Sequence, residues 1–102
     1  GNKYDAIIMD PPSYGRGANG EVWQFENNIS DLLELCKQVL SDDPLFFLIN
    51  SYTTGISPTV LGNLINIKLN LKKGTVDSGE IGLPVKDSRL VLPCGIYGRW
   101  EK

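Results

Sequence analysis

The sequence predicts an α/β fold in which a mostly parallel sheet carries two helices on one face. Two short apolar runs, 4–9 and 45–49, are typical of buried strands, and each precedes a segment with helical hydrophobic spacing. Two longer segments, 73–85 and 89–100, are typical of strands joined by a turn at 86–88. Right-handed crossovers moving the same way across a sheet place both helices on one face, and the closing hairpin adds one antiparallel strand.

Apolar periodicity and helix breakers predict the positions of the two helices. The first is expected to begin near Ile29, with Ser30 and Asp31 as capping candidates, after a polar, glycine-rich loop over about 11–28. The second is expected to begin after Ser57, because a proline follows that residue and suits the first helical position.

The strands pose a packing problem for this order of elements. Both apolar runs are continuous, which is typical of strands buried on two faces. Helices on one face leave the other face bare, and the first strand has an unpaired edge. Either the strands are less buried than they look, or another half of the domain covers them. The bare edge or face is also a candidate surface for a homodimer.

Composition restricts the function classes. The chain has 102 residues, room for one domain, and a net charge of -2, which argues against strong nucleic-acid binding by this segment alone. It has no histidine and two distant cysteines, Cys36 and Cys94, so neither a zinc site nor Ser-His-Asp or Cys-His catalysis is expected. We expect reduced thiols, a cytoplasmic location, no metal and no membrane segment.

The motif with the clearest chemical meaning is Asp-Pro-Pro-Ser-Tyr at 10–14, directly after the first strand. Ligands of open α/β sheets bind at the carboxyl ends of the strands. Two consecutive prolines form a rigid extended turn without backbone donors, so their carbonyls can face a ligand. An Asp carboxylate and a proline carbonyl can together accept hydrogen bonds from one planar amino group. A plain strand-ending turn is the alternative interpretation.

This motif resembles the fourth motif of class I S-adenosylmethionine (SAM)-dependent methyltransferases that act on exocyclic amines. The resemblance implies that Asp10, Pro11 and Pro12 form the catalytic turn, with Asp10 and the Pro11 carbonyl holding the acceptor amine. It also implies that Tyr14 or Tyr52 stacks on the base. Ser13 stands where the family has an aromatic or a cysteine in many members, and we include it in the substrate site.

The longer string 4–17, with Gly-Glu-Val-Trp at 20–23, is similar to bacterial 23S rRNA methyltransferases of the cytosine-C5 type. That similarity implies an RNA partner. From its place in the glycine-rich loop, Arg16 could contact an RNA phosphate, with simple solvation as the alternative. Asn50 ends the second strand at the same sheet edge as Asp10, which favours a pocket role over capping of the loop. Methylation of cytosine C5 needs a cysteine thiolate, which the similarity places at Ser13 or at 50–51. Because no cysteine is present there, amine methylation is favoured.

In the Rossmann-like family order 3-2-1-4-5-7-6, this chain would supply strands 4, 5, 7 and 6. Residues 1–102 are then the C-terminal half of a catalytic domain, without the glycine-rich turn that holds SAM. The isolated chain is expected to bind SAM weakly or not at all. A DNA or protein amine methyltransferase and a non-catalytic α/β interaction module are the alternatives.

Overall fold

The computed structural model describes residues 1–102 as six strands, two α-helices and one π-helical turn. In chain order the elements are β1 (Ala6–Met9), β2 (Tyr14–Arg16), β3 (Val22–Gln24), α1 (Phe25–Val39), β4 (Phe46–Ser51), α2 (Pro58–Leu64), the π-helical turn (Ile65–Leu69), β5 (Thr75–Pro84) and β6 (Val91–Glu101).

Four strands form the main sheet in the order β1-β4-β6-β5. β1 pairs in parallel with β4, and β6 runs antiparallel to both of its neighbours, β4 and β5. β5 therefore points the same way as β1 and β4. A register shift between Ile81 and Gly82 makes an irregularity in this hairpin, opposite the segment of β6 that contains Pro93 and Gly95. The predicted fold class, a four-stranded segment with one antiparallel strand, is confirmed.

The core lies on one face of this sheet, beneath both helices. On β4, Phe47 and Ile49 are fully buried, as is Trp100 of β6 apart from 4% of its surface. Phe47 and Trp100 are direct cross-strand partners, so they share that face. α1 packs on the π-helical turn, and α2 packs on β5 and β6. The buried positions of α1 recur at helical spacing: Phe25, Ile29, Leu33 and Cys36.

The opposite face of the sheet has no helix on it. Ile8 of β1 remains 66% exposed, and its partner Leu48 is half-buried. In the structure of this chain, therefore, the two apolar runs are buried on one face only, and the sheet has the bare face that the order of elements predicts. An apolar run indicates that its side chains favour burial, but a second packed layer has to supply that burial. We call this surface the open face.

The loop predicted over 11–28 is more structured than expected. It contains the β2–β3 hairpin, and α1 begins at Phe25 rather than near Ile29. Ser30 and Asp31 lie inside α1 and do not cap it. Gln24 is the N-cap residue, and its backbone N–H donates to Asn28 Oδ1 at 2.8 Å. This local contact stabilises a first turn in which Phe25 is the only buried residue.

The second helix follows its prediction closely. Ser57 is its N-cap residue and Pro58 occupies the first turn. The π-helical turn continues it to Leu69, where Asn70 takes a left-handed conformation with φ 46°. Neither this helix nor α1 is long and apolar enough to cross a membrane.

Candidate functional site

Asp10 and Pro11 are placed by β1 at the carboxyl edge of the sheet, beside the end of β4. The Asp10 side chain is exposed and takes part in no hydrogen bond or ion pair. The carbonyl of half-buried Pro11 accepts no hydrogen bond from a side chain or from a loop backbone. Two neighbouring oxygen acceptors are therefore free for a ligand.

The next two residues of the motif are held in place by the rest of the chain. Trp23 Nε1 donates to the Pro12 carbonyl at 2.6 Å, and the Phe25 backbone N–H donates to the Ser13 carbonyl at 3.0 Å. The hydroxyls of Ser13 and Thr53 lie 2.9 Å apart and form a hydrogen bond. The hairpin, the start of α1 and the loop after β4 thus fix the turn from one side and leave its first two acceptors available.

A concavity of about 570 Å³ opens beside Ser13. It is lined by Ser13, Tyr14, Gln24, Glu26, Tyr52, Thr53, Thr54, Gly55 and Ile56. The two predicted stacking residues meet here, Tyr14 being 53% and Tyr52 56% exposed. The Tyr52 ring lies against Gly95, where an added Cβ would be 2.6 Å from Tyr52 Cδ1. The structure therefore brings Ser13, Tyr14 and Tyr52 together with two large aromatic surfaces free.

Arg16 and Asn50 lie apart from this concavity. Arg16 Nε donates to Tyr14 Oη at 3.1 Å, so its guanidinium is held on the exposed hairpin. Asn50 is the cross-strand partner of Tyr97 and alternates with buried Ile49, which places it on the open face. Asn50 therefore shares the edge of the sheet with Asp10 but does not line the concavity.

Two residues of the site have roles that the sequence does not reveal. Trp23 is half-buried against the core beside the start of α1, and its indole Nε1 donates to the Pro12 carbonyl. Thr53 follows the strand that neighbours β1 and carries a hydroxyl, but it belongs to no recognisable motif. The signal for Thr53 was its position after β4; the hydrogen bond to Ser13 requires the tertiary placement of both loops.

Neither cysteine lies in the concavity. Burial in the core raises the pKa of the Cys36 thiol. Cys94 lies at the irregularity of β6, and its thiol donates to the Leu92 carbonyl at 3.3 Å. Both thiols are free, and neither stands next to Ser13 in the place that C5 methylation would need.

No protein-family model and no curated protein sequence matches the chain. Among solved structures, it is similar to the SAM-dependent methyltransferase from Agrobacterium tumefaciens, with a TM-score of 0.87 and 32% identity over 99% of this chain. It is also similar to SMU.776, a putative methyltransferase complexed with SAH, with a TM-score of 0.64 and 18% identity over 97% of this chain. At that lower identity the likeness shows the fold alone.

The chain spans only part of both structures, 34% of the first and 26% of the second. Its four-stranded sheet, in which one strand is antiparallel, and the two helices on one face of that sheet nevertheless superpose on the Agrobacterium structure over 99% of this chain. The chain therefore has the fold of a segment of a SAM-dependent methyltransferase.

Proposed function

We propose that the intact protein is a SAM-dependent methyltransferase acting on rRNA, and that residues 1–102 are the C-terminal half of its catalytic domain. The observation that carries the proposal is the pair of free acceptors, the Asp10 carboxylate and the Pro11 carbonyl, at the carboxyl edge of the sheet. The 32% identity to the Agrobacterium enzyme over 99% of the chain supports the reaction class. The two free thiols fit a cytoplasmic location.

The two acceptors suit an exocyclic amino group. Each can accept one of its two N–H hydrogens, which fixes the nitrogen and directs its lone pair along one line. Holding reacting atoms in such a pose can contribute several kcal/mol to the barrier reduction, on the order of 7–11 kcal/mol in the best-oriented cases. SAM, bound to the intact enzyme, would supply the methyl group that this nitrogen receives.

The surrounding side chains have supporting roles in this proposal. Tyr14 and Tyr52 expose enough ring surface to stack on a base, an interaction worth roughly 1–3 kcal/mol per base. Arg16, held by Tyr14, would contact an RNA phosphate. Trp23 and Thr53 would keep the turn rigid, because they occupy the Pro12 carbonyl and the Ser13 hydroxyl.

The residues present do not form a complete cradle for SAM. The loop after β1 opens with Pro11 and Pro12, which have no N–H to offer, and the loop after β4 has a single glycine, Gly55. The helix that follows Gly55 is only seven residues long. We therefore assign the acceptor side of the site to this chain and assign cofactor binding to the rest of the intact protein.

The test is methyl transfer from radiolabelled SAM by the intact protein with Asp10→Ala. We expect the rate to fall roughly 100-fold or more, because one of the two groups that orient the amine is lost. The melting temperature should stay unchanged, since the Asp10 side chain is exposed and forms no hydrogen bond or ion pair. Asp31→Ala, which removes another exposed carboxylate from α1, is the matched control and should keep full activity.

The substrate that receives the methyl group separates this proposal from its alternatives. Transfer should be seen with deproteinised 23S rRNA and should be much weaker with plasmid DNA or protein extract. Undiminished activity of Asp10→Ala would remove Asp10 from the mechanism. Transfer to DNA or protein alone would keep the reaction class and reject the RNA substrate.

A further inference from the structure

A second concavity, of about 590 Å³, lies at the opposite edge of the sheet, where β1 and β4 begin and β6 ends. Five of the ten cationic side chains of the protein line it. They are Lys3, Lys37, Lys72, Lys73 and Lys102, and we call the concavity the lysine pocket. With Asp42 and Asp43 as the acids of the lining, the pocket has three net positive charges in a chain whose net charge is -2.

Only part of this positive charge is used within the protein. Lys102 Nζ lies 2.7 Å from Asp43 Oδ2, and this hydrogen bond and charge, with a smaller contribution from Lys73, hold the pKa of Asp43 below its usual value. Lys3 donates to the Gln38 carbonyl. The side chains of Lys37, Lys72 and Lys73 form no ion pair and no hydrogen bond.

The C-terminal end of helix α1 accounts for one of these three unpaired lysines. Lys37 lies in the last turn of α1, where the carbonyl end of the helix favours a cation by about 0.3–1 kcal/mol. Lys72 and Lys73 lie in the loop after the π-helical turn and belong to the last turn of neither helix. Their repulsion from each other and from the remaining lysines is not offset by any acid within ion-pair distance.

The loop that carries these two lysines is held rigidly. Trp100 is buried, and its Nε1 donates to the Lys73 carbonyl at 2.8 Å. Gly74 has a φ of +93°, and a Cβ there would lie 2.5 Å from both the Trp100 ring and the Glu101 carbonyl oxygen. Only glycine fits at this position, so the backbone at Lys73 is fixed against β6. The points from which the Lys72 and Lys73 side chains extend into the pocket are therefore set by the packing of Gly74 and Trp100.

We propose that the lysine pocket binds a phosphate group. Lysines are point-charge phosphate binders, and a concave site with several of them raises the local concentration of an anion. The phosphate could belong to a nucleic-acid backbone or to a free phosphate compound, two sources with the same binding chemistry. The pocket is at the far ends of the strands from Asp10, so this inference does not depend on the proposed methyl transfer.

The experiment uses two probes on the 102-residue chain: pyrophosphate by calorimetry, and a fluorescein-labelled 12-nucleotide single-stranded RNA by anisotropy. The test variant is Lys72→Gln with Lys73→Gln. The matched control is Lys86→Gln with Arg89→Gln, which removes two exposed cations from the β5–β6 turn outside the pocket. Circular dichroism should show equal melting temperatures for both variants, because all four side chains are exposed.

We expect the pocket variant to bind the RNA at least about 10-fold more weakly, and the control to change less than about twofold. The slope of log affinity against log salt concentration should fall by about 1 in the pocket variant. If the pocket variant loses affinity for pyrophosphate but not for the RNA, the pocket binds a free phosphate compound and the proposal stands. Equal losses in both variants, or no binding of either probe, would overturn it.

Discussion

The two faces of the main sheet are made by the same strands but contribute to stability in different ways. On the face beneath the helices, Phe47 and Ile49 of β4 have no exposed surface. On the open face, Ile8 of β1 keeps 66% of its surface exposed although its side chain is as apolar as that of Ile49. Strand alternation decides which residues share a face, and the position of the helices decides which face becomes the core.

The open face is instead held by polar contacts around Asp77. Tyr97 Oη donates to Asp77 Oδ2 at 2.9 Å, and Arg99 Nη2 lies 3.3 Å from the same oxygen. Exposed ion pairs of this kind contribute about 0–1 kcal/mol each. The comparison teaches that nearly all of the stability of this chain comes from the helix-covered face, so equivalent changes on the two faces should have unequal effects.

The largest difference is expected between Ile49→Ala and Ile8→Ala. Deleting the buried side chain of Ile49 should reduce the free energy of unfolding by about 2–5 kcal/mol, because it leaves a cavity in the core. The same deletion at exposed Ile8 should cost about 0.5 kcal/mol. Urea denaturation of the two variants measures both values.

A milder pair of substitutions allows the same comparison if the Ile49→Ala variant fails to fold. Ile49→Val should cost about 0.5–1.5 kcal/mol and Ile8→Val almost nothing. Equal costs at the two positions would mean that a second layer, such as another copy of the chain, covers the open face in solution. Sedimentation of the same samples would identify that layer.

An intermediate effect is expected for the two thiols. Cys36 lies beneath α1 with 6% of its surface exposed, and burial raises the pKa of its thiol, so it should contain little reactive thiolate. Cys94 is half-buried at the irregularity of β6 and should react with Ellman's reagent roughly 10-fold faster or more. Cys94→Ser should remove the fast phase only; a fast phase that persists would show that α1 opens readily.

The smallest effect is expected on the open face, in the titration of Tyr97. The hydrogen bond to Asp77 stabilises the protonated phenol and raises the pKa of Tyr97. This contribution to stability is present below the unfolded pKa of about 10 and is lost as the pH rises through the folded pKa. With Asp77→Asn, the pKa of Tyr97 should fall towards its ordinary value, as followed by NMR of the tyrosine Cζ.

A contrary result would be an unchanged Tyr97 pKa in that variant. It would assign the shift to the open-face environment rather than to the Asp77 carboxylate. Glu101→Gln is the matched control, since Glu101 is a nearby acid that pairs with Arg99 at 3.9 Å and makes no hydrogen bond to Tyr97.

The candidate site was predicted in part because a motif at a strand end needs only local sequence to be recognised. Asp10–Ser13 follows an apolar run, so its place at the carboxyl edge could be inferred before any tertiary contact was known. The roles of Trp23 and Thr53 could not be inferred, because their partners lie 11 and 40 residues away in sequence. The start of α1 differs from its prediction for a similar reason: the first turn adds one buried residue, Phe25, and is closed by the contact between Gln24 and Asn28, which depends on the preceding β2–β3 hairpin rather than on a capping sequence.

The sequence by itself determined the order of the four main-sheet strands and the two helices, the antiparallel closing hairpin and the position of the Asp-Pro-Pro turn. These features depend on local periodicity, on proline geometry and on general rules of chain crossover. The tertiary structure decided which face of the sheet is buried, which motif carbonyls remain free and which lysines meet in one pocket. Each of these is a relation between residues distant in sequence, and only the packing of the helices on the sheet brings such residues together.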